Sequence, residues 1–144
     1  MIVRQFMRKD AMRFGLAAAA VAANLVAAGC GGIVDPSQNQ TETFSGTVNV
    51  AGISPVHTFN VSKSGEYFIT ITKLDPPLTP ANATVQVVFG QAAGGSCNPI
   101  QTNAFARLGQ ALSGSIFAGS YCVVIVDVGF LTTTESYTLQ VQHP

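Results

Sequence analysis

Tryptophan is absent from this chain, and charge is scarce. Only 10% of the 144 residues are charged, against ~25% in an ordinary soluble domain. Sugar-binding sandwiches usually stack their ligands on exposed Trp or Tyr faces; there is no Trp here, and Tyr67, Tyr121 and Tyr137 all fall on expected core faces. Histidine occurs twice, as His57 and His143. Serine or cysteine nucleophiles, which need a neighbouring base, therefore have two candidate partners, and a zinc centre lacks an obvious ligand set. Basic side chains are nearly missing beyond Cys30, where only Lys63, Lys73 and Arg107 face Asp35, Glu42, Glu66, Asp75, Asp127 and Glu135, a net of −3. Nucleic acids are thereby excluded as partners, since phosphate binding works by clustered cations. Helix-favouring Leu, Lys, Glu and Arg are also thin after residue 30, which argues against a helical domain.

The other basic residues, Arg4, Arg8, Lys9 and Arg13, precede an alanine-rich stretch from Phe14 to Ala28. A basic start, a short apolar stretch and a small-residue cleavage site define a secretory signal. The stretch is too short for a span of ~20 strongly apolar residues, and it contains Asn24. Met7 or Met12 could equally serve as the start without altering this reading. The segment ends Leu25-Val26-Ala27-Ala28-Gly29-Cys30. It resembles the bacterial lipobox, with Ala27 where Leu is usual. The resemblance implies that residues 1–29 are a signal peptide and that Cys30 is the lipidated first residue of the mature protein. The alternative is an ordinary secretory signal followed by a chance cysteine. Gly31 stands where Asp would mark inner-membrane retention, so the resemblance implies an outer-membrane location in a Gram-negative envelope.

Cys97 and Cys122 are the remaining cysteines. Exported proteins mature in an oxidising compartment, so an even pair left after lipidation of Cys30 is expected to form a disulfide. Two buried free thiols or a metal site are the alternatives.

Residues 30–42 contain Gly, Pro, Ser, Asn and Gln and read as a flexible tether. Beyond them the pattern becomes short alternating runs broken by turn residues. Expected strands are 43–50, 56–62, 66–72, 84–89, 104–108, 111–117, 121–128 and 136–142. The second and third, joined by Lys63-Ser64-Gly65, read as a β-hairpin. Leu74–Pro80 is expected to be excluded from a central strand by its prolines, and Gly90–Pro99 to be a loop carrying Cys97. About eight strands over ~100 residues indicate an all-β antiparallel sandwich or barrel. Its expected core is Phe59, Tyr67, Ile69, Ile71, Val85, Val87, Tyr121, Val123, Ile125, Tyr137, Leu139 and Val141.

The runs His57-Thr-Phe-Asn-Val-Ser, Gly65-Glu-Tyr-Phe-Ile-Thr-Ile, Ala118-Gly-Ser-Tyr-Cys-Val-Val-Ile-Val-Asp and Ser136-Tyr-Thr-Leu-Gln-Val resemble the bacterial pre-peptidase C-terminal domain. The likeness extends over roughly Phe44 to Val141. It implies a jelly-roll-like β-sandwich that is not itself catalytic and is usually appended to exported enzymes. No peptidase precedes the domain in this chain.

The reactive groups point the same way. His143, beside the end of the sequence, is expected to fray, and His57 reads as a structural histidine bonding a loop carbonyl. Asp127 could be a calcium ligand helped by Asp75 or Glu135; alternatively it caps the Gly129–Thr134 loop through backbone donors. Phe68 and Phe130 are candidate exposed aromatics. Asn60 and Asn82 begin sequons that read as accidental in a bacterial chain. No catalytic constellation and no cofactor motif emerges. The sequence is therefore read as a non-catalytic envelope module, held to the membrane by its lipid and meeting a protein or glycan. An accessory of an exported enzyme and a structural envelope protein are the other readings.

Overall fold

The computed structural model describes residues 38–78 and 83–144. The expected signal peptide, Cys30, the tether as far as residue 37, and Asn82 lie outside the described residues. Eight strands follow in chain order: β1 Gln40–Val48, β2 His57–Val61, β3 Gly65–Asp75, β4 Val85–Ala93, β5 Ser96–Ala106, β6 Gly109–Ile116, β7 Gly119–Val126 and β8 Glu135–His143. They form two antiparallel sheets, ordered β1-β8-β3-β6 and β2-β7-β4-β5. The pairs β1 with β8, β2 with β7, β3 with β6 and β4 with β5 are nested. The chain is thus one long doubled ribbon rolled onto itself, which is the jelly-roll arrangement.

Except at the β4–β5 hairpin, the roll puts consecutive strands in opposite sheets, so β2 and β3 are not a hairpin. They cross the sandwich, and Phe59 and Val61 on β2 face the same core as Tyr67 and Ile69 on β3. Alternation along each run fixes which face is buried but not whether two runs pair side by side or face to face. Every expected core residue joins the core, with Tyr121 packed at its border and half-buried. An aromatic seam runs through it: Tyr67 on Phe89 at 4.4 Å, Phe89 on Tyr121 at 5.3 Å and Phe59 on His143 at 5.1 Å between ring centroids.

Three other expectations are corrected. β1 begins at Gln40, which pairs with His143, so residues 40–42 belong to the sheet and not to the tether. β3, a central strand, continues through Leu74 to Asp75 and stops at the cis Asp75–Pro76 bond. Its extra residue, Thr72, is skipped in the pairing with β8, and this bulge turns Leu74 into the core. Finally, the 90–99 segment is not a loop. β4 runs to Ala93 and returns at once as β5 through Gly94 and Gly95, whose φ values are +56° and +85°. Two consecutive positive φ values are what a two-residue hairpin needs and what glycine tolerates.

Candidate functional site

Cys97 therefore lies on a strand. It is joined to Cys122 of β7 in a disulfide, with Cα atoms 5.6 Å apart. Both flanking strands pair with β4, so in a flat sheet these cysteines would be at least about 9.5 Å apart, twice the strand spacing. The register between β4 and β5 shifts at Phe89/Gly90, where Ile100 is skipped, and β5 curls over Gly90. The glycine is paired with Cys122 on one side and with Pro99 on the other.

One end of the sandwich carries the β1–β2 and β7–β8 loops, knotted together by Asp127. Its Oδ1 accepts from the backbone N–H of Gly129, Phe130 and Leu131 at 2.8, 3.0 and 3.2 Å, and its Oδ2 from Ala51 N–H at 2.7 Å. Burial alone would raise this carboxyl's pKa, but the four donors outweigh it and hold the group below its ordinary value. The capping alternative thus describes Asp127: its oxygens serve the backbone of two loops. Around the knot, Val50, Ile53, Val128 and Phe130 are exposed. Antiparallel pairing throughout places this end opposite the start of β1 at Gln40.

The residues weighed as reactive are consumed internally. His57 Nε2 lies 2.7 Å from the Tyr137 hydroxyl, and its ring stacks on Phe44 at 5.0 Å. The partner is thus a tyrosine and not a loop carbonyl. Burial lowers the His57 pKa and raises that of Tyr137, with the nearby Ser54 hydroxyl working the other way on Tyr137. Ser54 donates to Pro55 O at 3.0 Å and accepts from Ile125 N–H at 2.9 Å, so its hydroxyl is a strand staple and not a nucleophile. His143 is fully buried and does not fray: its Nε2 is 3.0 Å from Glu42 Oε1, and its ring lies against Phe59. Pairing of β8 with the first residues of β1 holds it in the sheet.

Glu135 is buried beside Asp75, whose backbone N–H donates to it, while its Oε1 has no partner among the described residues. Burial chiefly, then the Asp75 charge, pushes its pKa up. Asp75 and Glu135 are thus neighbours, whereas Asp127 is committed to its loops; no group of three His, Cys, Asp or Glu side chains suited to a metal occurs among the described residues. Phe68 is half-buried and Phe130 exposed.

A feature missed by the sequence reading lies along the side of the sandwich, where edge strands β5 and β6 face each other across a groove of about 560 Å3. Gln101 Oε1 accepts from the buried Tyr67 hydroxyl, and Gln101 Nε2 reaches Ser113 O at 3.4 Å. Asn103 Nδ2 donates to Ala111 O at 2.9 Å, and its Oδ1 accepts from Phe105 N–H at 2.9 Å. Amides two residues apart on β5 therefore meet carbonyls two residues apart on β6. The spacing Gln101-x-Asn103 on an alternating run was the available signal.

No family model matches the chain. No curated protein matches it either. Among solved structures it is similar to the Yersinia pseudotuberculosis-derived mitogen, at 16% identity and a TM-score of 0.48, covering 73% of this chain and 86% of that one. It is also similar to the periplasmic inhibitor of g-type lysozyme from Aeromonas hydrophila, at 13% identity and 0.48, covering 73% and 87%. The pre-peptidase C-terminal domain of a Bacillus anthracis collagenase, from the family that the sequence runs resemble, is similar at 14% identity and 0.46, covering 70% and 86%. These are likenesses of outline and assign no residue a role.

Proposed function

We propose that the chain is a non-catalytic, lipid-anchored β-sandwich of the bacterial cell envelope that acts by binding another envelope component. One observation carries the non-catalytic part. Ser54, His57, Asp127 and His143 are each committed to structural hydrogen bonds, and the less fully paired Glu135 is buried beside Asp75, with neither histidine bonded to it. Catalysis needs a base within reach of the proton it removes and free to take it. The surface instead offers a rigid looped end with exposed apolar side chains and a polar lateral groove, the features from which contact surfaces are made. The anchor rests on the run ending at Cys30, and the β1 strand that follows it starts at the end remote from the Asp127 loops.

Expression of the full chain in a two-membrane bacterium with an alkyne-bearing fatty acid tests the anchor. Label is expected on the wild type and in the membrane fraction, with the Cys30→Ser variant unlabelled and released. An unlabelled wild type that retains its initial methionine overturns the anchor. The purified protein is expected to leave peptide, ester and glycoside substrates unchanged. Turnover that His57→Gln abolishes overturns the non-catalytic reading.

A further inference from the structure

We infer that the lateral groove between β5 and β6 is a binding site for a neutral oligosaccharide. This rests on the reading of the chain as a binding module and names a ligand class for it. Four observations converge on the groove.

Its lining residues are all uncharged. A phosphate or carboxylate ligand would lose water there without gaining a counter-charge, and an unpaired charge is costly to desolvate. A polyhydroxylated neutral ligand meets what the walls offer: Ser113 supplies a hydroxyl group, and Gln101, Asn103 and Gln110 supply amides, each amide both a donor and an acceptor. Sugar hydroxyls have the same dual capacity.

The walls are also fixed before any ligand arrives. The Tyr67 hydroxyl, rooted in the core, holds Gln101 from beneath, and Asn103 is held at both ends of its amide. Groups ordered in advance need not be ordered on binding. Phe105, at 72% exposure, stands on the rim of this polar lining. An apolar ring face beside hydroxyl-matching groups suits a pyranose, which has an apolar C–H face and a polar edge. The groove is shallow and open, which suits an extended chain of sugar units lying along the surface.

An extended peptide is the competing occupant, because both strands are sheet edges and edges invite strand addition. The β6 edge has been answered from within. Its Ala111 and Ser113 carbonyls already accept from Asn103 and Gln101. A strand added there would have to displace both amides. On the β6 side, an added strand would therefore meet side-chain amides before backbone.

The test uses the full-length chain, expressed with its leader and purified in detergent micelles. Maltohexaose, cellohexaose, laminarihexaose and chitohexaose are titrated calorimetrically, with oligogalacturonate as charged probe and octathreonine as extended peptide. At least one neutral hexaose is expected to bind. Phe105→Ala should weaken it about tenfold, equivalent to ~1.4 kcal/mol, and Gln110→Ala should weaken it as well. Phe117→Ala, equally exposed but on the β6–β7 turn, should leave binding unchanged. The inference is overturned if no neutral hexaose binds, if only oligogalacturonate or octathreonine binds, or if Phe105→Ala has no effect. Sugar binding by a protein that carries no acyl chain upholds the groove and sinks the anchor; an acylated protein that ignores every hexaose does the reverse.

Discussion

Gly90 is the position at which a single methyl group should be felt most. A Cβ built there would stand 2.1 Å from Asn98 O, 2.7 Å from Asn98 C and 3.1 Å from Cys97 Sγ. Favourable contacts between heavy atoms begin near 3.5 Å, so β5 would have to withdraw by more than about 1 Å. It is poorly free to do so, because Cys97 is bonded across β4 to Cys122. Overpacking of this kind costs ~1–3 kcal/mol, against a gain of ~0.4–1 kcal/mol from stiffening the unfolded chain where alanine fits without strain. The expected net loss for Gly90→Ala is about 1–2 kcal/mol. Removing the disulfide by Cys97→Ser with Cys122→Ser should cost about 3.5 kcal/mol on the chain-entropy account, given the 25-residue separation.

The informative quantity is the coupling between the two changes. Once β5 is unbolted it can lift away from the new methyl group. Gly90→Ala should then cost less in the Ser/Ser background than in the disulfide-bonded protein, with a coupling of ~1 kcal/mol or more, within the range for contacting sites. Urea unfolding of the four proteins, with mass spectrometry to confirm the redox state of each, gives the cycle. Equal costs in both backgrounds, or a Gly90→Ala protein as stable as wild type, would refute the idea that the curl of β5 over β4 is held under the disulfide.

Three further outcomes follow from the same structure. Glu135 has a raised pKa in the folded protein, so its contribution is fully present at acid pH and is lost as pH rises through the folded value; urea midpoints measured from about pH 4 to pH 8 should fall less in Glu135→Gln than in wild type. Asp127 behaves oppositely, its lowered pKa giving stability that is present above the unfolded value and lost as pH falls; Asp127→Asn should cost about 2 kcal/mol at neutral pH and less in acid, and parallel pH profiles would contradict the knot. At Gly46 a Cβ would meet the Tyr137 hydroxyl at 2.6 Å, so Gly46→Ala should displace Tyr137 from His57 and shift the His57 ring resonances in an NMR titration, while unchanged resonances would show that the strand yields instead.

The core was legible because it depends on a period of two. Tyr67, Ile69 and Ile71, or Tyr137, Leu139 and Val141, occupy one face of a strand wherever that strand goes. Pairing was not legible, for the same reason: β2 and β3 show identical alternation whether they lie side by side or face each other. The errors in extent fall at bulges and small residues. Leu74 is three positions after Ile71 because Thr72 is skipped. Ala111 and Leu112 are adjacent yet both buried because Ala111 is the extra residue of β6 opposite Ile69 and Thr70. A period count treats such a break as the end of a strand.

The 90–99 segment shows how this bears on the candidate site. Gly, Ala and Ser side chains carry little hydrophobic signal, so the run reads as a loop, yet the small residues are what let two strands approach closely enough for Asn98 to cross over Gly90. That crossing shifts the β4–β5 register by one residue and leaves Ile100 unpaired on the outside. Side chains point alternately to opposite faces, so a one-residue shift decides which residues of β5 meet β6. The orientation of Gln101 and Asn103 toward the Ser113 and Ala111 carbonyls, and with it the groove, therefore depends on the register shift at Gly90 and on a second one between Val85 and Val87. A groove with no charged residue and no recognisable motif has been positioned by the backbone, which is why the sequence names its residues only after the pairing is known.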